Sequence, residues 1–63
     1  MTYRQYKGYT IVKEYVGGSY YIRKDGKNLH RECAKETFPK LKLAKDFLDR
    51  VEKNGLVEMY YWL

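Results

Sequence analysis

The sequence predicts an α+β fold in which a three-stranded antiparallel β-meander packs on one C-terminal α-helix, with a short apolar C-terminal segment docked on the core. Three observations predict this β-β-β-α order: alternating segments joined by glycine turns, a further extended segment after Asp25-Gly26, and a helical repeat of apolar residues after Pro39. Strands joined by tight turns pair antiparallel, because parallel pairing needs long crossover connections.

The three predicted strands are bounded by glycine turns. The first covers residues 9–16, where β-branched and aromatic residues alternate, and Gly17-Gly18 supplies the turn that follows. The second covers residues 20–24 and ends at Asp25-Gly26, one of the strongest short hairpin signals. The third covers roughly residues 28–34. The meander is therefore expected to begin at Tyr9.

An amphipathic helix is predicted after Pro39. Its apolar positions recur at intervals of three and four, and they are Leu41, Ala44, Phe47, Leu48 and Val51. Asn54-Gly55 should end the helix, because glycine readily adopts the left-handed conformation of a helix terminus. Residues 56–63 carry a single charge and would expose a large apolar patch as a free tail. They are expected to dock on the core or to contact another chain.

Two faces of the sheet follow from these assignments. One face lies under the helix, and the expected core is Tyr9, Ile11, Tyr20, Ile22, Leu29, Cys33, Phe38, Leu41, Ala44, Phe47, Leu48 and Val51. The other face is expected to be open to solvent, and it should carry Thr10, Val12, Tyr21, Arg23, His30 and Glu32.

The 63 residues are expected to form a single domain, residues 1–63, since so short a chain buries one small core. Eight tyrosines supply much of the apolar area in place of disulfides. No apolar run approaches the roughly 20 residues of a membrane span. A solitary Cys33 and the absence of a signal-peptide pattern favour the cytoplasm.

Enzymatic chemistry is not predicted. The chain has one serine, one histidine and one cysteine, and a small two-layer domain has no room for a deep pocket, so no catalytic residues and no small-molecule substrate are assigned. His30 and Cys33 lack the second pair of ligands that structural zinc needs. Asp46 and Asp49 have lysines beside them and are expected on a solvated helix face. No metal or other cofactor is predicted.

The positive charge is concentrated in the first half of the chain. Residues 1–35 carry eight lysine and arginine residues against three acidic ones, whereas residues 36–63 carry five of each. Aromatic rings among cations suit bases and phosphates, and a two-stranded ribbon fits the major groove. The predicted nucleic-acid-binding residues, with double-stranded DNA as the candidate partner, are Tyr21, Arg23, Lys24, Lys27 and Arg31.

Two other interpretations remain open at this stage. Tyrosines are good strand residues and lysines protect sheet edges from aggregation, so the same side chains have a structural explanation. Alternatively, the chain is a protein-interaction module that forms a homodimer or caps a host protein. In that case the predicted protein interface is the aromatic C-terminal segment with Met59, Tyr60, Tyr61 and Trp62.

Residues 20–52, YYIRKDGKNLHRECAKETFPKLKLAKDFLDRVE, resemble the N-terminal DNA-binding domain of phage and transposon tyrosine integrases. Asp25-Gly26-Lys27 matches the D-G-K turn of that family, and Phe38, Ala44 and Phe47 match its F-x-T-x-x-x-A-x-x-(W/F) helix signature, with Lys40 where the family prefers a capping threonine. The resemblance implies a three-stranded sheet whose face with Tyr21 and Arg23 enters the major groove. The chain equally resembles the short accessory proteins of phages and mobile elements, which share the β-β-β-α pattern and bind a host protein.

The stretch KLKLAK, residues 40–45, is similar to the helix start of double-stranded-RNA-binding domains, whose lysines span phosphates across a groove. The chain lacks the first helix of that family and the G-x-G before the lysines. This second resemblance is therefore the weaker one.

Overall fold

The computed structural model describes residues 2–63, which form an antiparallel sheet of six strands and one helix. The elements in chain order are β1 Thr2–Tyr6, β2 Tyr9–Lys13, β3 Tyr20–Lys24, β4 Lys27–Arg31, β5 Ala34–Lys35, α1 Leu41–Asn54 and β6 Tyr60–Trp62. The α+β class and the antiparallel β2-β3-β4 meander are confirmed. The prediction of a three-stranded sheet is wrong, because the chain adds β1, β5 and β6.

The first strand, β1, pairs along its whole length with β2, from Thr2 opposite Lys13 to Tyr6 opposite Tyr9. The connecting turn is Lys7-Gly8, with φ of 51° and 84°, and two positive φ values are what a two-residue hairpin turn of type I′ requires. Asp25-Gly26 adopts the same conformation, with φ of 53° and 78°. Both turns lie at the same end of the sheet.

Two predicted strands end earlier than expected. β2 ends at Lys13, so Tyr15 and Val16 are 67% and 100% exposed. β4 ends at Arg31, where a tight turn begins at Glu32 with φ of 59°. Cys33 lies in this turn and is exposed, so its assignment to the core is wrong. The turn reverses the chain before the side chain of Cys33 reaches the helix.

Residues 34–38 fill the space where β3 and β4 diverge. β5 pairs with the end of β4, Glu36 N–H donates to Leu29 O at 3.0 Å, and Phe38 forms a bridge with Tyr20 on β3. On its other edge β4 pairs with β6, with Leu29 opposite Trp62. The C-terminal segment is thus a strand of the same sheet, paired with its own chain.

The helix α1 crosses one face of the sheet. Its bounds agree with the prediction, and Gly55 N–H donates to Val51 O at 2.7 Å at its end. None of the described helices is long and apolar enough to cross a membrane.

The core lies between α1 and the sheet. Its buried members are Ile11, Ile22, Leu29, Ala44, Phe47 and Leu48, as predicted. Five further predicted residues pack against them while partly exposed, namely Tyr9, Tyr20, Phe38, Leu41 and Val51. Leu56, Tyr60 and Trp62 of the C-terminal segment pack there too, as expected for a docked segment, whereas the packing of Tyr6 was not predicted.

The opposite sheet face is not fully open, which corrects a further expectation. Val12 and Tyr21 are 0% and 8% exposed on that face. Tyr21 donates its hydroxyl to Glu14 Oε1 at 2.9 Å, and Lys35 Nζ lies 3.9 Å from the centre of its ring. β1 and the 34–38 segment widen the sheet on both sides of Tyr21, and the added neighbours cover it.

A polar cluster joins the β1–β2 turn to the helix. Lys7 Nζ lies 2.9 Å from Asp49 Oδ1 and 3.0 Å from Glu52 Oε2, and the Tyr6 hydroxyl donates to Asp49 Oδ1 at 2.8 Å. The hydrogen bonds from Lys7 and Tyr6 lower the pKa of Asp49, and those from Lys7 to Asp49 and Glu52 raise the pKa of Lys7. These contacts help to hold Lys7 at a positive φ that residues other than glycine rarely adopt.

This cluster predicts an acid-sensitive contribution to stability. The pKa of Asp49 is lower in the folded protein, so its stabilising effect is present above the unfolded pKa and is lost as the pH falls through the folded pKa. The urea midpoint of the wild type should exceed that of an Asp49→Asn variant at pH 7, and the difference should shrink as the pH falls below about 4. An Asp46→Asn variant is the control, because Asp46 forms no ion pair or side-chain hydrogen bond among the described residues. A difference independent of pH would contradict the assignment.

Candidate nucleic-acid interface

Three of the five predicted nucleic-acid-binding residues lie together at the β3–β4 hairpin. Lys24 and Lys27 are directly opposite each other across the Asp25-Gly26 turn, and Arg23 is opposite Asn28 in the next pair. Because side chains alternate along a strand, Arg23 lies on the sheet face away from the helix, whereas Lys24 and Lys27 lie on the helix side. The hairpin therefore carries cations on both of its faces.

The Lys24–Lys27 pair is electrostatically unfavourable within the folded chain. Like charges directly opposite each other in an antiparallel pair repel. Both side chains are exposed, and neither ammonium pairs with a carboxylate in residues 2–63, where the ion pairs involve Lys7 and Arg31. Asp25 lies between them in sequence without forming such a pair. The hairpin tip thus concentrates positive charge that no described side chain neutralises.

Two aromatic rings lie beside these lysines on the helix side. Tyr9 and Trp62 stack with ring centres 5.7 Å apart and an angle of 18° between their planes. Lys24 Nζ lies 5.1 Å from the centre of the Tyr9 ring. Lys24, Asp25, Lys27 and Trp62 line a shallow depression of about 230 Å³. The hairpin tip therefore has two lysines beside the stacked rings of Tyr9 and Trp62.

Sequence reasoning did not assign Tyr9 and Trp62 to this site. Tyr9 was expected only in the core and Trp62 only in a protein interface. The two residues are separated by most of the chain, and they meet because β6 pairs with β4 while β2 pairs with β3. No local pattern indicates that pairing.

The remaining two predicted residues are placed differently. Tyr21 is buried, so its ring is not available to stack on a base in this conformation. Arg31 lies at the far end of β4 from the hairpin turn, with its Nε 3.5 Å from Glu36 Oε2. The cationic site that the structure brings together is therefore Arg23, Lys24 and Lys27.

The predicted protein-interface residues alternate between core and solvent. Tyr60 packs edge-on against Phe47 with ring centres 5.0 Å apart, and Trp62 stacks on Tyr9. Met59 and Tyr61 point the other way and are 53% and 38% exposed. Two of the four predicted interface residues are therefore exposed, and the other two are partly buried against the core.

The residues considered for metal binding or catalysis do not converge. His30 Nδ1 lies 3.0 Å from Asn28 O, and the imidazole stacks on Tyr61, whereas Cys33 is in the exposed turn. Asp49 is engaged by Lys7 and Tyr6. Among residues 2–63 no group of three or more histidine, cysteine and acidic side chains is arranged to hold a metal ion.

Comparison with known proteins supplies no family for this arrangement. The resemblance to tyrosine integrases stays a prediction from the sequence. No protein-family model, no curated protein and no solved structure matches this chain.

Proposed function

We propose that this protein binds double-stranded DNA through the β3–β4 hairpin, with Arg23, Lys24 and Lys27 as the contacting cations. The observation that carries the proposal is the Lys24–Lys27 cross-strand pair, which has no carboxylate partner among the described residues. Such a pair costs folding free energy, of the order of a few tenths of a kcal/mol, and a phosphate would relieve the repulsion.

The shape of the hairpin favours duplex DNA over a small anion. A two-stranded ribbon fits the major groove, whose two walls are lines of phosphates. Cations on opposite faces of one ribbon are placed to approach both walls, with Arg23 on one side and Lys24 and Lys27 on the other. The proposal concerns affinity for the backbone, which positions a protein on DNA without selecting a sequence.

The hairpin tip has more cations than carboxylates, with Arg23, Lys24 and Lys27 against Asp25. Glu14, which lies on the same sheet face as Arg23, accepts the Tyr21 hydroxyl toward the other end of β3. Asp49 and Glu52 both form ion pairs with Lys7. Asp25 is part of the turn itself, and three cations surround it in sequence.

The test is the salt dependence of duplex binding. Fluorescence anisotropy of a labelled duplex of about 20 base pairs, two helical turns, should report binding that weakens steeply between about 50 and 200 mM salt. The steep dependence is expected because each neutralised phosphate releases condensed counterions. An absence of measurable binding at low salt would refute the proposal. Binding that does not depend on salt would contradict contact through these cations.

A further inference from the structure

The edge of β6 that does not pair with β4 is a second candidate binding surface. We propose that two copies of this chain associate by antiparallel pairing of their β6 strands, about a two-fold axis at Tyr61. The pairing would join the two sheets into one continuous sheet. This proposal does not depend on DNA binding, because Lys24 and Lys27 lie outside the paired strand.

The backbone of β6 sets the register of such a pair. Asn28 and Leu63 exchange both hydrogen bonds at 2.9 Å, and Glu32 N–H donates to Met59 O at 3.3 Å. Met59 and Leu63 therefore direct their backbone groups toward β4. Tyr60 and Trp62 alternate with them and direct their backbone groups toward the free edge. Tyr60 N–H already donates to Val57 O at 3.0 Å. Within residues 2–63, Trp62 N–H and Tyr60 C=O are left for a partner strand.

These groups are complementary in a two-fold arrangement. With Tyr61 opposite the partner's Tyr61, Trp62 is opposite the partner's Tyr60. Each copy then donates its Trp62 N–H to the C=O of the partner's Tyr60, which gives two symmetric hydrogen bonds. A second copy of the chain thus supplies the acceptor that each edge requires.

The side chains around this edge are unusually apolar for a surface. Met59, Tyr61 and Leu63 are on the sheet face away from the helix and are 53%, 38% and 71% exposed, and Val57 before them is 58% exposed. In the proposed register Met59 is opposite the partner's Leu63, and the two tyrosine rings are adjacent. Pairing would cover this apolar row, which is otherwise in contact with water.

The charge distribution favours β6 over the other edge of the sheet. Residues 56–63 carry one charged side chain, Glu58, so two copies meet there with little repulsion. The edge strand β1 has Arg4 at its centre, and a two-fold pairing about that residue would place two guanidinium groups opposite each other. Charged residues of this kind protect sheet edges from association, and β6 has none.

Sedimentation velocity over a concentration series to about 1 mM tests the proposal. The average mass should rise from the chain mass of 7.6 kDa toward twice that value. A Tyr61→Lys, Leu63→Lys variant should stay monomeric. A Leu43→Lys, Val16→Lys variant is the matched control, because it replaces two exposed apolar residues by the same charges elsewhere and should associate like the wild type.

Hydrogen exchange identifies the edge that pairs. Exchange of the Trp62 amide should slow as the protein concentration rises, since that amide becomes a donor only in the dimer. A monomer at every concentration would overturn the proposal. So would a dimer in which Trp62 amide exchange is unchanged, or one that the Tyr61→Lys, Leu63→Lys variant still forms with unchanged affinity. Circular dichroism spectra matching the wild type would show that both variants are folded.

Discussion

Replacement of Leu48 by alanine is expected to leave a large fraction of the molecules unfolded at room temperature. Leu48 is 0% exposed, and it lies between the helix and the sheet with Ile11, Ile22 and Leu29. Removal of a buried leucine side chain costs about 2–5 kcal/mol, because the transfer free energy is lost and a cavity remains. A single core in a chain below about 70 residues rarely supplies more than 3–5 kcal/mol. The free energy lost on substitution is therefore comparable to the stability that the core supplies.

Leu43 provides the matched control for this prediction. It lies on the same helix with 44% of its side chain exposed, so Leu43→Ala should change the free energy of unfolding by less than about 1 kcal/mol. Urea titrations followed by circular dichroism measure both variants. A Leu48→Ala variant as stable as Leu43→Ala would show that the helix does not pack on the sheet as described.

Replacement of both Lys24 and Lys27 by glutamine is expected to weaken duplex binding by roughly 100-fold at about 0.1 M salt, which corresponds to about tenfold for each lost phosphate contact. The fold should tolerate the change. Removal of the like-charge pair should stabilise the hairpin by a few tenths of a kcal/mol, and loss of the Lys24 contact with the Tyr9 ring should cost a similar amount. The double replacement should therefore lower the affinity for duplex DNA and leave the free energy of unfolding nearly unchanged.

A Lys42→Gln, Lys53→Gln variant is the control for net charge. Both lysines are exposed on the helix and neither belongs to the β3–β4 hairpin, and their replacement lowers the net charge by the same two units. This variant should retain nearly all of the wild-type affinity, because neither lysine is among the cations that are proposed to contact phosphates. Equal losses in the two variants would mean that binding follows total charge and not the hairpin.

The sequence predicts the helix and the central meander because their signals are local. The apolar repeat from Leu41 to Val51 and the Asp25-Gly26 turn each specify an element within a few residues. Ile11, Ile22 and Leu29 were assigned to the core from alternation alone, and the structure buries all three. The sequence therefore predicts those elements that have both a recognisable apolar face and a recognisable turn.

The missed strand β1 lacks both of these signals. Four of its five residues are exposed, and its turn residue Lys7 is not one that favours a positive φ. Lys7 occupies that position while it contacts Asp49 and Glu52 on the helix, more than 40 residues away in sequence. A turn supported by such distant contacts cannot be read from local propensity.

The candidate site shows the same division between local and distant information. Lys24 and Lys27 adjoin a recognisable turn, so their proximity was predictable. Their position on the opposite face from Arg23 follows from the register, and the stacking of Trp62 on Tyr9 follows from the pairing of β6 with β4. The burial of Tyr21 depends on Lys35 and on strands that the sequence did not indicate.

The most direct test of DNA binding by the β3–β4 hairpin is the slope of log affinity against log salt concentration. This slope is compared among the wild type and the two double variants. Each phosphate contact contributes about 0.9 to the slope for duplex DNA. We expect the slope of the Lys24→Gln, Lys27→Gln variant to be shallower than that of the wild type by about 2, while the Lys42→Gln, Lys53→Gln variant keeps the wild-type slope. Identical slopes for all three proteins would contradict the assignment of DNA binding to the β3–β4 hairpin.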